Sequence, residues 1–363
     1  MRPMIATWRK LAVFWILCAC SFVTVTLCLR SYSVAISNFG DSASYLNVAR
    51  AIASWHFEGL QVLQFWGVSY AIALVALLGH VPLTASLIIV SAGSSAAVTV
   101  LAGRLWGWYA AVFTTAVSFD WMQRSMLGGS EPLFLLLLLT AFLAIRRGHW
   151  WIAALLASFA TTVRPLGICA LAAIGLILLY RKEYGRFCSA LITGLLVGLL
   201  YMLPLHIYLH DSMATVHSYE TARPLFGIPF YAILQGLFLP HPFTNLVLSC
   251  SWVIFIITGI ALLSFSRSGR EFRRAHPAEF LFAVLYTVMI SCYNYPNWAL
   301  GSFARFAIPV VPFALIAYRQ FLASRNLTPG RVVRQLEPIV WTCAVVFPVL
   351  AAFSAYGIRN LFR

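Results

Sequence analysis

Charge is scarce in this sequence, and negative charge is scarcest. Asp and Glu number 10 against 25 Lys and Arg, and charged residues of all kinds make up only 10% of the 363. A soluble domain carries about 25%. With hydrophobic residues at 61%, a water-soluble fold would have nowhere to put its apolar surface. Paired cysteine spacings are also absent. Cys18, Cys20, Cys28, Cys169, Cys250, Cys292 and Cys343 lie inside apolar runs and Cys188 at the start of one, which excludes a disulfide framework or zinc module and reads as buried packing. No continuous basic tract accounts for the net charge of +15. The basic residues fall in short clusters between apolar runs, as they do at cytoplasmic helix ends and beside anionic membrane lipids, so a nucleic-acid partner is excluded. A cleavage site of small residues does not follow the apolar run Leu11–Leu29 behind Arg2, Arg9 and Lys10, which predicts an uncleaved signal-anchor. No soluble domain, low-complexity tract or clear internal repeat interrupts the chain, which reads as one transmembrane domain over 1–363.

What is present is a series of apolar runs, at 11–29, 62–79, 83–103, 106–123, 131–145, 149–163, 166–180, 187–208, 245–264, 279–293, 304–322 and 338–357. Each is long enough, or nearly so, to cross a bilayer. If all crossed from a cytoplasmic N-terminus, Arg146-Arg147 and Arg181-Lys182 would lie outside. Withdrawing 62–79, which begins beside Gln61 and Gln64 and carries Trp66 and Tyr70, puts the basic clusters inside. The expectation is therefore an all-α, polytopic protein of about eleven transmembrane helices, with an interfacial or re-entrant helix in a first outer loop at about 30–82 and a second long outer loop at about 209–244. Chemistry is expected on that loop-rich face.

Several charged residues fall there. Asp41, in Asn38-Phe39-Gly40-Asp41-Ser42, could take the proton of an acceptor hydroxyl as a general base, or could cap a helix over Ser42–Ala53. Glu131, before Pro132, either favours the helix dipole or faces the same cavity as Asp41 to orient an acceptor or a metal. Arg164, before Pro165, and Arg305 could each clamp a phosphate or snorkel to headgroups. His217, Tyr219, Glu220 and Arg223 make the second outer loop polar and aromatic, like a sugar-binding edge; His217 alone reads as a surface residue. No metal-ligand spacing is seen and no cofactor is required, although a divalent metal is compatible with the carboxylates.

Gly40-Asp41-Ser42-Ala43-Ser44-Tyr45, followed by a non-crossing helix, resembles the first outer loop of GT-C membrane glycosyltransferases. Ser130-Glu131-Pro132-Leu133-Phe134, Arg146-Arg147-Gly148-His149-Trp150, Ala160 through Gly167, Asp211 through Pro224 and Ala304-Arg305-Phe306 with Pro309 and Pro312 are similar, in this order, to segments of PIG-V-type mannosyltransferases and their bacterial relatives. The resemblance spans roughly residues 38–315. It implies an inverting transfer of a sugar such as mannose from a polyprenyl-phosphate donor to a lipid-linked or surface glycan acceptor, on the outer face of a bacterial cytoplasmic membrane. Asp41 would be the base, with Arg305 or Arg164 holding the leaving phosphate. A flippase for a lipid-linked sugar and a polymerase or ligase of lipid-linked glycans are the competing readings. The first would show inverted repeats, and the second would place its essential residues in the late loop.

Overall fold

The structure is a computed structural model. It describes residues 2–29, 39–57, 60, 64–107, 110–111, 119–218, 220, 224–240, 243–267, 269–324, 341–342 and 345–353. Among these the secondary structure is helical apart from one isolated antiparallel bridge, Phe226 to Tyr293. Among the described residues five helices are long and apolar enough to cross a membrane: Arg9–Cys28, Leu83–Trp106, Tyr184–Leu209, Asn245–Phe265 and Phe303–Leu322. A sixth arises if Asp120–Leu127 and Glu131–Arg146, bent by 100° at their junction, count as one broken span. Other expected spans form shorter apolar helices, Trp150–Val163, Pro165–Tyr180 and Pro277–Ser291. Much of the expected span at 106–123 lies outside the described residues. Of 338–357, residues 341–342 and 345–353 are described and helical, and the rest lie outside the described residues.

The chain divides into two compact units. The first comprises Met1–Ile168, Ser189–Ser218 and Pro338–Arg363. Its helices are α1 (Arg2–Leu29), α2 (Gly40–Ser54), α3 (Gly67–Gly79), α4 (Leu83–Trp106), α5 (Phe119–Leu127), α6 (Glu131–Arg146) and α7 (Trp150–Val163), with most of α9 (Tyr184–Leu209) and the short α10 (Ala214–His217). α4 is the hub, packed against α1, α3, α5 and α6. It can be approached closely because its buried face is built of small residues, Ser86, Ser91, Ser94, Ser95, Thr99 and Ala102, the composition that membrane helix contacts favour. Their hydroxyls are not left wanting: Ser91 donates to the carbonyl of Leu87 and Thr99 to that of Ser95, while Ser95 accepts the indole N–H of Trp15 from α1 at 3.2 Å.

α6 and α7 form the tightest hairpin of this unit. The Leu-rich run of α6 buries Phe134, Leu135, Leu138, Leu139 and Phe142, and Gly148, at φ +80, ends the helix turn that reverses into α7. Arg146, in the last turn of α6, donates to the carbonyl of Leu105 at the last turn of α4, a cation meeting helix-terminal carbonyls. The basic ends of α4 and α6 therefore lie together. α6 runs for 16 residues from there, about 24 Å at 1.5 Å per residue, so Glu131 lies at the opposite end of the bundle.

The second unit comprises Cys169–Cys188 and Tyr219–Glu337. It contains nearly all of α8 (Ile168–Tyr180), then α11 (Tyr231–Gly236), α12 (Phe243–Phe265), α13 (Gly269–Ala275), α14 (Pro277–Ser291), α15 (Pro296–Gly301), α16 (Phe303–Ala307) and α17 (Val311–Ser324). α12 packs along α17, where the Phe255 and Tyr318 rings stack at 5.2 Å and the Tyr318 hydroxyl reaches the carbonyl of Phe255.

Candidate functional site

The sequence places Asp41 at the start of a helix, and the structure agrees, but not in the capping role. Phe39 occupies the N-cap of α2, with extended backbone and no side-chain hydrogen bond, and Asp41 sits inside the first turn. Its carboxylate turns to a stronger partner. Oδ2 accepts from Arg124 Nη1 at 2.5 Å and Oδ1 accepts from Gln64 Nε2 at 2.9 Å. The Arg124 guanidinium also lies over the Phe39 ring, 4.5 Å from its centroid, a cation–π contact strengthened by exclusion of water. Arg124 and Asp41 side chains keep only 14% and 21% of their surface exposed.

The next residue fastens this helix end. Ser42, buried, directs its hydroxyl at the carbonyls of Leu127 and Gly128, 2.5 and 2.8 Å away. Those carbonyls belong to the sharp turn between α5 and α6. Gly128 takes φ +93 there, a left-handed conformation that side chains resist, and Gly129 donates back to the carbonyl of Arg124 at 2.7 Å. A Cβ at Gly129 would stand 2.6 Å from Arg124 Cβ and 2.8 Å from Glu131 Oε2. Arg124 and Glu131 therefore flank a single glycine.

Glu131 opens α6 and is 3% exposed. Its Oε1 accepts from Arg164 Nη1 at 2.5 Å, and Arg164 also reaches the Ser130 hydroxyl at 3.3 Å. Pro165 explains how Arg164 gets there. A residue before proline is driven out of the helical region; Arg164 is extended at φ −145, ψ 131 and ends α7. The result is an alternating series of largely buried charges, Asp41, Arg124, Glu131 and Arg164, in two ion pairs on either side of the Gly128-Gly129 turn. It lies at the end of the α4–α6 bundle opposite the basic cluster.

Aromatic packing holds the third contributor. Gln64 is followed by Phe65, stacked on Tyr201 of α9 at 6.1 Å, and by Trp66, whose backbone N–H donates to the Tyr201 hydroxyl at 3.3 Å. The same hydroxyl meets Thr215 Oγ1 at 3.3 Å. Trp66 is fully buried with Phe57, Val48 and Leu205. Gly67 then lets α3 start against the end of α7, since a Cβ there would fall 2.7 Å from the Thr162 backbone.

Of the residues singled out in the sequence, the structure brings together Asp41, Glu131 and Arg164, and it joins to them Arg124 and Gln64, which the sequence reading did not single out. A signal for Arg124 was present: Asp120, Gln123 and Arg124 cluster where the apolar run 106–123 gives way to the short outer turn expected near 123–131. Gln64 marked the start of a non-crossing run, with nothing in its spacing to tie it to residue 41.

The remaining candidates are not among the four residues of the charge series. His217, exposed, pairs through Nδ1 with Asp211 Oδ2 at 2.8 Å, and Asp211 Oδ1 accepts the Met213 N–H. The His217 hydrogen bond, then that of Met213, hold the Asp211 carboxyl below its ordinary 3.8. Glu220 is exposed and Arg305 lies on α16, both in the second unit. Tyr219 and Arg223 lie outside the described residues. A divalent metal does not fit the arrangement. Each buried carboxylate of the series already meets a guanidinium, and among the described residues no three His, Cys, Asp or Glu side chains gather as ligands.

Comparison with protein-family models, with curated proteins and with solved structures finds no match for this chain.

Proposed function

We propose that this chain is an integral membrane glycosyltransferase of the GT-C type, moving a sugar such as mannose from a polyprenyl-phosphate donor to a lipid-linked or surface glycan acceptor. In this reading it crosses a bacterial cytoplasmic membrane about eleven times, with α3 as the non-crossing helix of the first outer loop and the Asp41 end of the bundle outward. The observation that carries the reading is the set of largely buried, paired ionisable groups at the break between α5 and α6. Such groups within a membrane protein are expensive and mark functional sites. Broken helices, moreover, are tolerated at membrane depth only where protein or a cavity surrounds them.

The chemistry assigned to Asp41 is proton acceptance. Its two oxygens offer about four lone-pair positions, and Gln64 and Arg124 take one on each oxygen. The acceptor hydroxyl is assigned to approach this carboxylate. As that hydroxyl oxygen bonds to the anomeric carbon, its proton passes to Asp41. The bond from the anomeric carbon to the phosphate oxygen breaks, and the electron pair leaves on the phosphate. A single displacement inverts the anomeric configuration. The growing charge on the phosphate calls for a preorganised cation at the leaving oxygen.

The test is transfer. Membranes containing the protein are expected to move labelled sugar from a polyprenyl-phosphate donor onto endogenous acceptor. Lipid extracts of a deletion strain should hold accumulated donor and a truncated glycan. An unchanged glycan with no accumulated donor contradicts the assignment.

A further inference from the structure

We propose that Arg124 is an exchangeable counterion: it neutralises Asp41 in the unliganded protein and passes to an anionic phosphate when one binds, uncovering the carboxylate. The inference rests on the glycosyltransferase reading for its ligand, but on this structure for its mechanism. Arg124 holds Asp41 through Nη1 alone, whereas a guanidinium can meet a two-oxygen anion with a fork of parallel N–H donors. Its Nε–H is buried and meets no acceptor among the described residues. Gln64 is in the complementary position. Its Nε2 is committed to Asp41 at 2.9 Å, and its Oε1 is buried with no donor among the described residues. Both side chains touch the same carboxylate, so the unused donor and the unused acceptor lie within a few ångströms of it.

Their polarity is informative. Arg124 Nε lacks an acceptor, as a phosphate oxygen is. Gln64 Oε1, beside Asp41, lacks a donor, as a hydroxyl is. A molecule presenting both a phosphate oxygen and a hydroxyl, a phosphosugar, satisfies the two at once. Arg164 differs: it holds both Glu131 and Ser130 and is the guanidinium that stays. Arg124 is accordingly a positioning residue for Asp41 and a phosphate ligand in turn.

The experiment measures binding by the purified full-length chain in detergent micelles, with sugar-free polyprenyl phosphate as the probe. Polyprenol, inorganic phosphate and phosphatidylglycerol form the other arms. Wild type is expected to bind polyprenyl phosphate in preference to all three. Asp41→Asn removes the competing charge and should tighten binding by about tenfold, while Arg124→Lys, which keeps the charge and loses the fork, should weaken it by about tenfold. Asp41→Asn binding no tighter than wild type, or Arg124→Lys binding equally well, overturns the exchange. If Asp41→Asn does not fold, Arg124→Lys alone decides. Equal binding of phosphatidylglycerol would make this a general lipid-phosphate site and overturn the donor assignment. Transfer activity of the wild-type protein, read in parallel, separates the two ideas: transfer without the expected variant shifts leaves the enzyme and removes the exchange.

Discussion

Two acidic residues of the first unit, Asp41 and Asp211, each hold a basic partner, and they behave as opposites. Asp41 and Arg124 are largely buried, arrive from helices 83 residues apart in sequence, and are fixed by the α5–α6 turn. Asp211 and His217 are six residues apart on the surface, and the pair closes a local turn. Burial turns the same chemistry from a modest local tie into a commitment that the surrounding helices must support. A buried pair gains little over apolar packing, yet losing one partner strands the other's charge at high cost, whereas exposed pairs contribute about 0–1 kcal/mol.

The comparison can be broken most forcefully at the second buried pair. Arg164→Met leaves the Glu131 carboxylate in place, 3% exposed, and should cost about 3–5 kcal/mol of unfolding free energy in mixed micelles. Adding Glu131→Gln should recover much of it. An effect below about 1 kcal/mol would put this pair in the surface class. Next in size is the turn that carries both pairs. Gly128→Ala forces a side chain onto φ +93 and within 2.7 Å of Leu87, a cost of about 1–3 kcal/mol visible in the same unfolding measurement. Tyr201→Phe removes the hydroxyl that meets the Trp66 N–H and Thr215. It should cost about 1 kcal/mol and speed hydrogen exchange at the Trp66 amide.

The smallest effect belongs to the surface pair and is read through pH. The Asp211 carboxyl is held below 3.8 in the folded chain, first by His217 and then by the Met213 N–H. A depressed carboxyl contributes stability above its unfolded value and loses it as pH falls through the folded one. Protection of the Met213 amide should therefore be full above about pH 4 and decline only below 3.8, and Asp211→Asn should abolish that decline. A decline that Asp211→Asn leaves in place would contradict the role given to this carboxyl.

How much of this was legible in the sequence follows from the same contrast. Local information sufficed where the cause was local. The apolar runs located the helices at Leu83–Trp106, Glu131–Arg146 and Tyr184–Leu209 to within a few residues, and Arg164-Pro165 announced a break. Asp41 stood out as a polar residue just past the first apolar run. Its partner could not be read, because Arg124 meets it only through the α5–α6 turn, and that turn follows residues where an unbroken span was expected. The capping role expected of Asp41 failed for the same reason: a guanidinium from a distant helix outcompetes the backbone N–H groups of its own first turn. The surface pair has the reverse history, since Asp211 and His217 are neighbours in sequence and their meeting needs no fold.

The most direct measurement is the initial rate of sugar transfer from a polyprenyl-phosphate donor by Asp41→Asn, compared with wild type at matched protein level in membranes. If Asp41 accepts the acceptor's proton, the rate should drop by about 10²–10⁴-fold while the variant still inserts and binds polyprenyl phosphate. Transfer at the wild-type rate by a properly inserted variant would contradict the role given to Asp41 and leave the buried pair a structural one.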